Sequence, residues 1–173
     1  MSMFHGQSSV DHRTVDTQTG VLEVTENDYL LSLCARHLGE PFLDFRLAEM
    51  VLQSITWAKK QFKWRVFSFC LMPDHLHIAC RLTNVAPQVG RVAKRIRKES
   101  VILDQIAKFK NSTTTGSWNL GITGRLFDHS ECEPMLEIGQ PLEEIVLFVL
   151  NNPVRRELVR DWPSWPHSKR LEN

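Results

Sequence analysis

The pattern of apolar and polar positions predicts a β-hairpin near the middle of the chain. Residues 66–72 are apolar, rich in Val and Phe, and interrupted only by Ser68, which is typical of a strand buried on both faces of a sheet. Pro73 and Asp74 follow, and this pair favours a tight turn. At 75–78 histidine alternates with aliphatic residues, as in a second strand.

Three other segments have a clear period. Residues 29–34 are predicted to form a first strand. From Asp44 to Ala58 apolar residues recur at three- and four-residue spacing, which predicts an amphipathic helix capped by Asp44. Residues 142–150 are predicted to form a second helix that is apolar on one side, and Pro153 predicts that this helix ends or kinks there.

A basic segment begins another predicted helix, which continues to about Phe109. Residues 91–98 contain five cations and no acid. The helix side away from the apolar residues carries Arg91, Lys94, Arg95 and Lys98. Two interpretations are open, because such a side either contacts phosphates or is simply a solvated face.

The segments that follow are predicted to be less regular. Residues 110–120 are polar and are predicted to form a flexible loop, in which Trp118 either stacks on a base or closes over the core. Residues 122–129 are predicted to add a short strand, and 161–166 an extended segment held by two tryptophans.

Composition and charge indicate an ordinary globular protein. The chain has 173 residues, of which 42% are hydrophobic and 24% charged, with a formal net charge of +1. We expect a mobile polar tail at 1–24, with a short edge strand near 21–24, and one domain at 25–173. No apolar run approaches a membrane span, no export signal is present and the four cysteines show no CxxC spacing, so we expect a cytoplasmic protein without membrane contact.

His75 and His77 are the candidate metal-binding residues. Because successive strand side chains point to opposite faces, both imidazoles leave the sheet on one side. Two neutral imidazoles on a strand supply half of a divalent-metal site. The alternative is a partly buried pair satisfied by ordinary hydrogen bonds, the more frequent outcome for an isolated His-x-His.

Four segments together resemble the REP-associated tyrosine transposases, relatives of the IS200-like transposases and single-domain HUH nucleases. They are 72–78 (Met-Pro-Asp-His-Leu-His-Ile), 93–98 (Ala-Lys-Arg-Ile-Arg-Lys), 124–129 (Gly-Arg-Leu-Phe-Asp-His) and 148–155 (Phe-Val-Leu-Asn-Asn-Pro-Val-Arg). The resemblance implies an α+β fold of ferredoxin-like (RRM-like) type, with an antiparallel sheet of about four strands and helices on one face. It implies single-stranded or hairpin DNA as the partner, including REP-like palindromes, and a monomer or homodimer.

The resemblance also assigns roles to particular residues. It implies that His75, His77 and Asn152 hold Mg²⁺ or Mn²⁺, and that a tyrosine one helical turn before Asn152 attacks a DNA phosphate. The DNA-binding residues that it and the basic segment suggest are Arg91, Lys94, Arg95, Lys98, Arg125 and Arg155. The implied reaction is metal-assisted nicking and rejoining of a DNA strand.

The chain departs from this pattern at the nucleophile. Phe148 stands where the resemblance implies a tyrosine, and the only tyrosine in the chain is Tyr29. The pattern alone favours a core aromatic at 148. Two explanations of the departure are open, a natural protein that has lost strand transfer or an engineered change. The functional alternatives are a catalytically inactive DNA-binding protein of the same fold and a metal-free RNA-binding or structural domain.

Overall fold

The structure is a computed structural model, and it describes residues 27–36, 39–82, 91–134 and 141–171, without the side chains of 91–99 and 129–134. Its strands are β1 (Asp28–Ala35), β2 (Arg65–Leu71), β3 (His75–Arg81), β4 (Phe127–Pro134) and β5 (Ser168–Arg170), and its α-helices are α1 (Phe45–Phe62), α2 (Arg91–Trp118), α3 (Leu142–Leu150) and α4 (Asn152–Arg155). The predicted tail at 1–24 lies outside the described residues. Among the helices that are described, none is both long and apolar enough to cross a membrane.

The strands form one antiparallel sheet in the order β4-β1-β3-β2-β5. The first four strands and the two helices between them give the ferredoxin-like arrangement, so the predicted α+β class is confirmed. The fifth strand was not predicted. It pairs Ser168 with Cys70 and Arg170 with Ser68 at the β2 edge, and its short polar sequence has no strand period to reveal it.

Helices cover both faces of the sheet. Leu76 and Ile78 of β3 belong to the core formed with α1 and α2, whereas Ala79 points the other way and packs with Val146 and Val149 of α3. The expectation of helices on one face is therefore corrected in this detail. The physical reason is that β2 has buried apolar residues on both of its faces, Val66 and Leu71 on one and Phe67 and Cys70 on the other, so each face must be covered. The histidine pair lies on the α3 side.

The first helix confirms its predicted cap and extends past its predicted end. The Asp44 carboxylate accepts hydrogen bonds from the backbone N–H groups of Arg46 and Leu47 at 2.9 and 3.4 Å. The helix continues to Phe62 and stops at Lys63, whose φ of 59° is left-handed. Its apolar side is fully buried against the sheet.

The predicted loop at 110–120 is wrong, because α2 continues to Trp118. The polar residues there are satisfied within the helix: the hydroxyls of Thr113, Thr115 and Ser117 each donate to a backbone carbonyl three or four residues earlier. Thr113 and Ser117 are fully buried. The lack of a side chain at Gly116 lets α2 approach Met50 of α1, whose Sδ would lie 3.1 Å from a Cβ at that position.

The chain after α3 confirms the predicted helix break and corrects the predicted extended end. The α3 helix ends at Leu150, and Pro153 occupies the first turn of α4, where its missing N–H is not needed. At 162–164 the chain forms a 3₁₀ turn capped by Asp161. The predicted role of the two tryptophans holds in part, since Trp162 and Trp165 pack against the α3 core.

Candidate functional site

The two histidines stand side by side on β3, as their spacing predicts. The ring centroids of His75 and His77 are 4.7 Å apart and the rings are nearly perpendicular. In the sheet, His77 lies opposite Ser32 of β1 and Cys70 of β2. The pair is thus held by the two central neighbours of β3, on the face that α3 covers, and we call this place the His-pair site.

Hydrogen bonds on both sides fix the ring of His75. Its Nδ1 lies 2.6 Å from Oδ1 of Asp74, and its Nε2 lies 3.0 Å from Nδ2 of Asn152. A carboxylate only accepts, so Nδ1 carries the proton and Nε2 presents its lone pair toward α4. The side chain of His75 is 16% exposed, so a small part of the ring remains open to a ligand or to solvent.

His77 is partly buried and is neutral at pH 7. Burial, then the charges of His75 and Arg155, lower the pKa of His77 to about 4. Its Nδ1 lies 2.8 Å from Oγ of Ser32. A hydroxyl can donate to or accept from this nitrogen, and in the tautomer with the proton on Nδ1 the Nε2 atom is a lone-pair donor. A neutral imidazole is the form that binds a metal ion.

Asp74 links the hairpin turn to the end of α4. Both of its carboxylate oxygens accept from Nη1 of Arg156, at 2.8 and 3.0 Å. Partial burial raises the pKa of Asp74, but the hydrogen bonds from Arg156 and His75 outweigh it and the pKa lies below its usual value. The carboxylate is therefore ionised and holds the orientation of His75.

Phe148 is not a core aromatic, so that prediction from the pattern is wrong. Its side chain is 47% exposed, whereas Val146 and Val149 of the same helix are buried. The guanidinium carbon of Arg155 lies 4.3 Å from the Phe148 ring centroid, and Nη1 donates to the Phe148 carbonyl at 2.8 Å. The charge of Arg155 also lowers the pKa of His77, so this cation acts electrostatically on the His-pair site.

Tyr29 lies away from the His-pair site. It is 6% exposed and belongs to the core formed with α1 and α2. Its side chain therefore lies on the face of the sheet opposite His75 and His77.

Of the remaining predicted DNA-binding residues, one lies near the end of α2, and the side chains of the other four are not described. Arg125 is exposed beside the end of α2. The side chains of Arg91, Lys94, Arg95 and Lys98 are not described, although their backbone forms the first turns of α2. Their DNA contacts stay predictions.

The donor set at the His-pair site fits a divalent ion in part. The side-chain amide of Asn152 lies 3.0 Å from Nε2 of His75, so an imidazole nitrogen and an amide group that could hold an ion lie next to each other. Asn152 would have to turn its amide oxygen inward, which is a half-turn of the amide group. Within the described residues, no group of three or more His, Cys, Asp or Glu side chains could hold a metal.

A solved structure of a REP-associated tyrosine transposase bound to a REP hairpin is similar to this chain. The TM-score is 0.57 with 13% sequence identity, over 97% of this chain and 82% of the other. The fold is that of a REP-associated tyrosine transposase. No protein-family model and no curated protein matches the sequence. At this identity the similarity establishes the fold and assigns no role to any residue.

Sequence reasoning missed three residues of the site. The sequence pattern indicates Asp74 only as a turn residue. Its position next to His75 is a local signal that could have predicted the contact between the two side chains. Ser32 and Arg156 are 45 and 82 positions away from the residues they contact. No local pattern marks them, so only the folded chain brings them to the site.

Proposed function

We propose that this protein binds single-stranded or hairpin DNA at the His-pair site together with Mg²⁺ or Mn²⁺, as a transposase-like protein of the REP-associated kind. The observation that carries the proposal is the meeting of His75, His77 and Asn152 from β3 and α4. These segments lie far apart in sequence, yet His75 and Asn152 are in hydrogen-bond contact. The structurally similar transposase is bound to a REP hairpin, which supports DNA as the partner.

The cations around the site support a phosphate ligand. Arg155 projects beside Phe148, and Arg156 is held by Asp74. Arg155 carries a planar set of donors suited to phosphate oxygens. We infer that it holds the DNA backbone, whereas Arg156 positions Asp74.

The metal would be held by His75, His77 and the Asn152 amide oxygen. Two nitrogens and one oxygen suit Mn²⁺ better than Mg²⁺, because Mg²⁺ favours oxygen ligands. When bound, such an ion polarises a phosphoryl oxygen and offsets the charge that develops during attack. Asp74 contributes by keeping the Nε2 lone pair of His75 available.

The residue at position 148 determines whether the protein can cleave the DNA that it binds. A phenyl ring has no oxygen and cannot attack phosphorus, whereas a phenol at this position can. We therefore propose that the chain as written binds its DNA and does not nick it. The inactive DNA-binding protein is thus the favoured form of the proposal.

The test is the change Phe148→Tyr, assayed on a labelled single-stranded hairpin by denaturing electrophoresis with Mn²⁺ and with chelator. We expect the parent to bind the hairpin without cleavage. We expect Phe148→Tyr to form a metal-dependent covalent adduct, in which the tyrosine oxygen joins the 5′ phosphate and a 3′ hydroxyl is released. Leu147→Tyr, at the half-exposed neighbouring position, is the matched control and should form none.

Two results would contradict the proposal in different parts. An adduct formed by the parent would mean that another residue is the nucleophile. If the parent binds neither the hairpin nor Mn²⁺, the His pair only makes hydrogen bonds within the protein. That result would favour the metal-free structural or RNA-binding alternative.

A further inference from the structure

A second candidate site lies on the other side of the sheet from the His pair. A groove of about 560 Å³ runs beside the C-terminal half of α2 and the segment before β4. Its buried floor includes Ile106 and Phe127, which belong to the core beneath α1 and α2. We call it the Trp118 groove, after the large exposed ring on its rim.

Trp118 is both exposed and fixed in position. Its side chain is 55% exposed, yet its Nε1 donates to the carbonyl of Gly124 at 3.0 Å. Gly124 has a φ of +84°, a conformation that residues with a side chain rarely adopt. The loop therefore holds the indole in place in solvent, so the Trp118 side chain would lose little entropy when a base stacks on it.

The groove carries cations next to this ring. Arg125 is exposed, and Lys110 donates through Nζ to the carbonyl of Asp128 at 2.9 Å. Burial lowers the pKa of Lys110 and the nearby charge of Arg125 lowers it further, while Asp128 raises it. Among the described residues that line the groove, Lys110 and Arg125 are cations and Asp128 is a carboxylate, so a phosphate placed there would lie beside two cations.

We propose that the Trp118 groove binds an unpaired nucleotide of the DNA, with its base stacked on Trp118 and its phosphate held by Arg125 and Lys110. This inference rests on the proposed function and extends it to a second contact, on the face away from the His pair. An exposed aromatic ring beside cations is the combination that binds single strands without sequence preference. The exposed amide of Asn111 and hydroxyl of Thr115 also line the groove and suit the polar edge of a base better than an apolar protein helix.

The experiment compares two labelled DNA probes by fluorescence anisotropy in the presence of chelator. One probe is a blunt hairpin, and the other is the same hairpin with single-stranded dT flanks. Trp118→Ala should weaken binding of the flanked probe by about tenfold or more and leave the blunt probe unchanged. Trp118→Phe, which keeps a stacking face, should restore most of the affinity. Arg125→Ala should flatten the salt dependence of the flanked probe by roughly 0.7 in log–log slope.

The controls remove an exposed tryptophan and an exposed cation of α1, by Trp57→Ala and Lys60→Ala. Both control proteins should bind both probes like the parent. Equal binding of the flanked probe by the parent, Trp118→Ala and Arg125→Ala would overturn the groove proposal and leave the proposed function standing. Weakening of both probes to the same extent in a folded Trp118→Ala protein would also overturn it, because the effect would not concern the flank. A parent that binds neither probe, either in chelator or with added Mn²⁺, would instead contradict the proposed function.

Discussion

At the scale of single residues, Asp74 determines what the histidine pair can do. A histidine on a strand has two ring nitrogens, and the proton can sit on either. The ionised Asp74 accepts from Nδ1 of His75 and is itself held by Arg156. Asp74 therefore directs the Nε2 lone pair of His75 toward the Asn152 amide, and Arg156 at the end of α4 holds Asp74 in place.

This arrangement predicts that Asp74 controls metal affinity without touching the metal. We expect Asp74→Ala to weaken Mn²⁺ binding by roughly 10- to 100-fold, which is typical when a residue that orients a ligand histidine is removed. Asp74→Asn keeps an acceptor for Nδ1 and should weaken it less. The measurement is isothermal titration with Mn²⁺, and Asp104→Ala, which removes an exposed carboxylate of α2, is the control. An unchanged affinity in Asp74→Ala would refute the orienting role.

At the scale of elements, α2 combines a basic start with a polar end, and only the start was predictable from the sequence. The basic segment has helical spacing of its apolar residues, which indicates a helix. The end has no such signal, because the threonines and serines that favour loops in isolation here bond back to their own helix and meet α1 at Gly116. Burial of Thr113 and Ser117 is a tertiary effect that overrides local preference.

The basic start of α2 gives a prediction about DNA affinity. If Lys94 and Lys98 contact phosphates, replacing both with alanine should weaken binding to all single-stranded sequences alike, because phosphates carry no sequence information. The slope of log affinity against log salt should flatten by up to roughly 0.7 for each lysine–phosphate interaction that the substitutions remove. Anisotropy titrations over a range of salt concentrations measure it. An unchanged slope would show that this side of α2 is only solvated.

At the scale of the whole molecule, the site depends on contacts between distant segments, and this limits what the sequence could predict. The alternation around Leu76 was enough to place both imidazoles on one face of a strand. Asn152 was implied only by resemblance, since nothing local links it to His75. Ser32 and Arg156 come from β1 and from the end of α4. The contacts that Ser32 and Arg156 make depend on the strand order and on the packing of α3. No short sequence pattern predicts either of these.

The central claim is that His75, His77 and Asn152 hold a divalent ion, and the most direct measurement is the melting temperature of the protein against Mn²⁺ concentration. At 100 times the dissociation constant, binding adds about 2.7 kcal/mol to stability, which for a chain of this size raises Tm by roughly 5 to 10 °C. We expect this rise in the parent and in His167→Ala, a histidine change beyond the site. The double variant His75→Ala with His77→Ala should show no rise. A double variant that responds to Mn²⁺ like the parent would contradict the account.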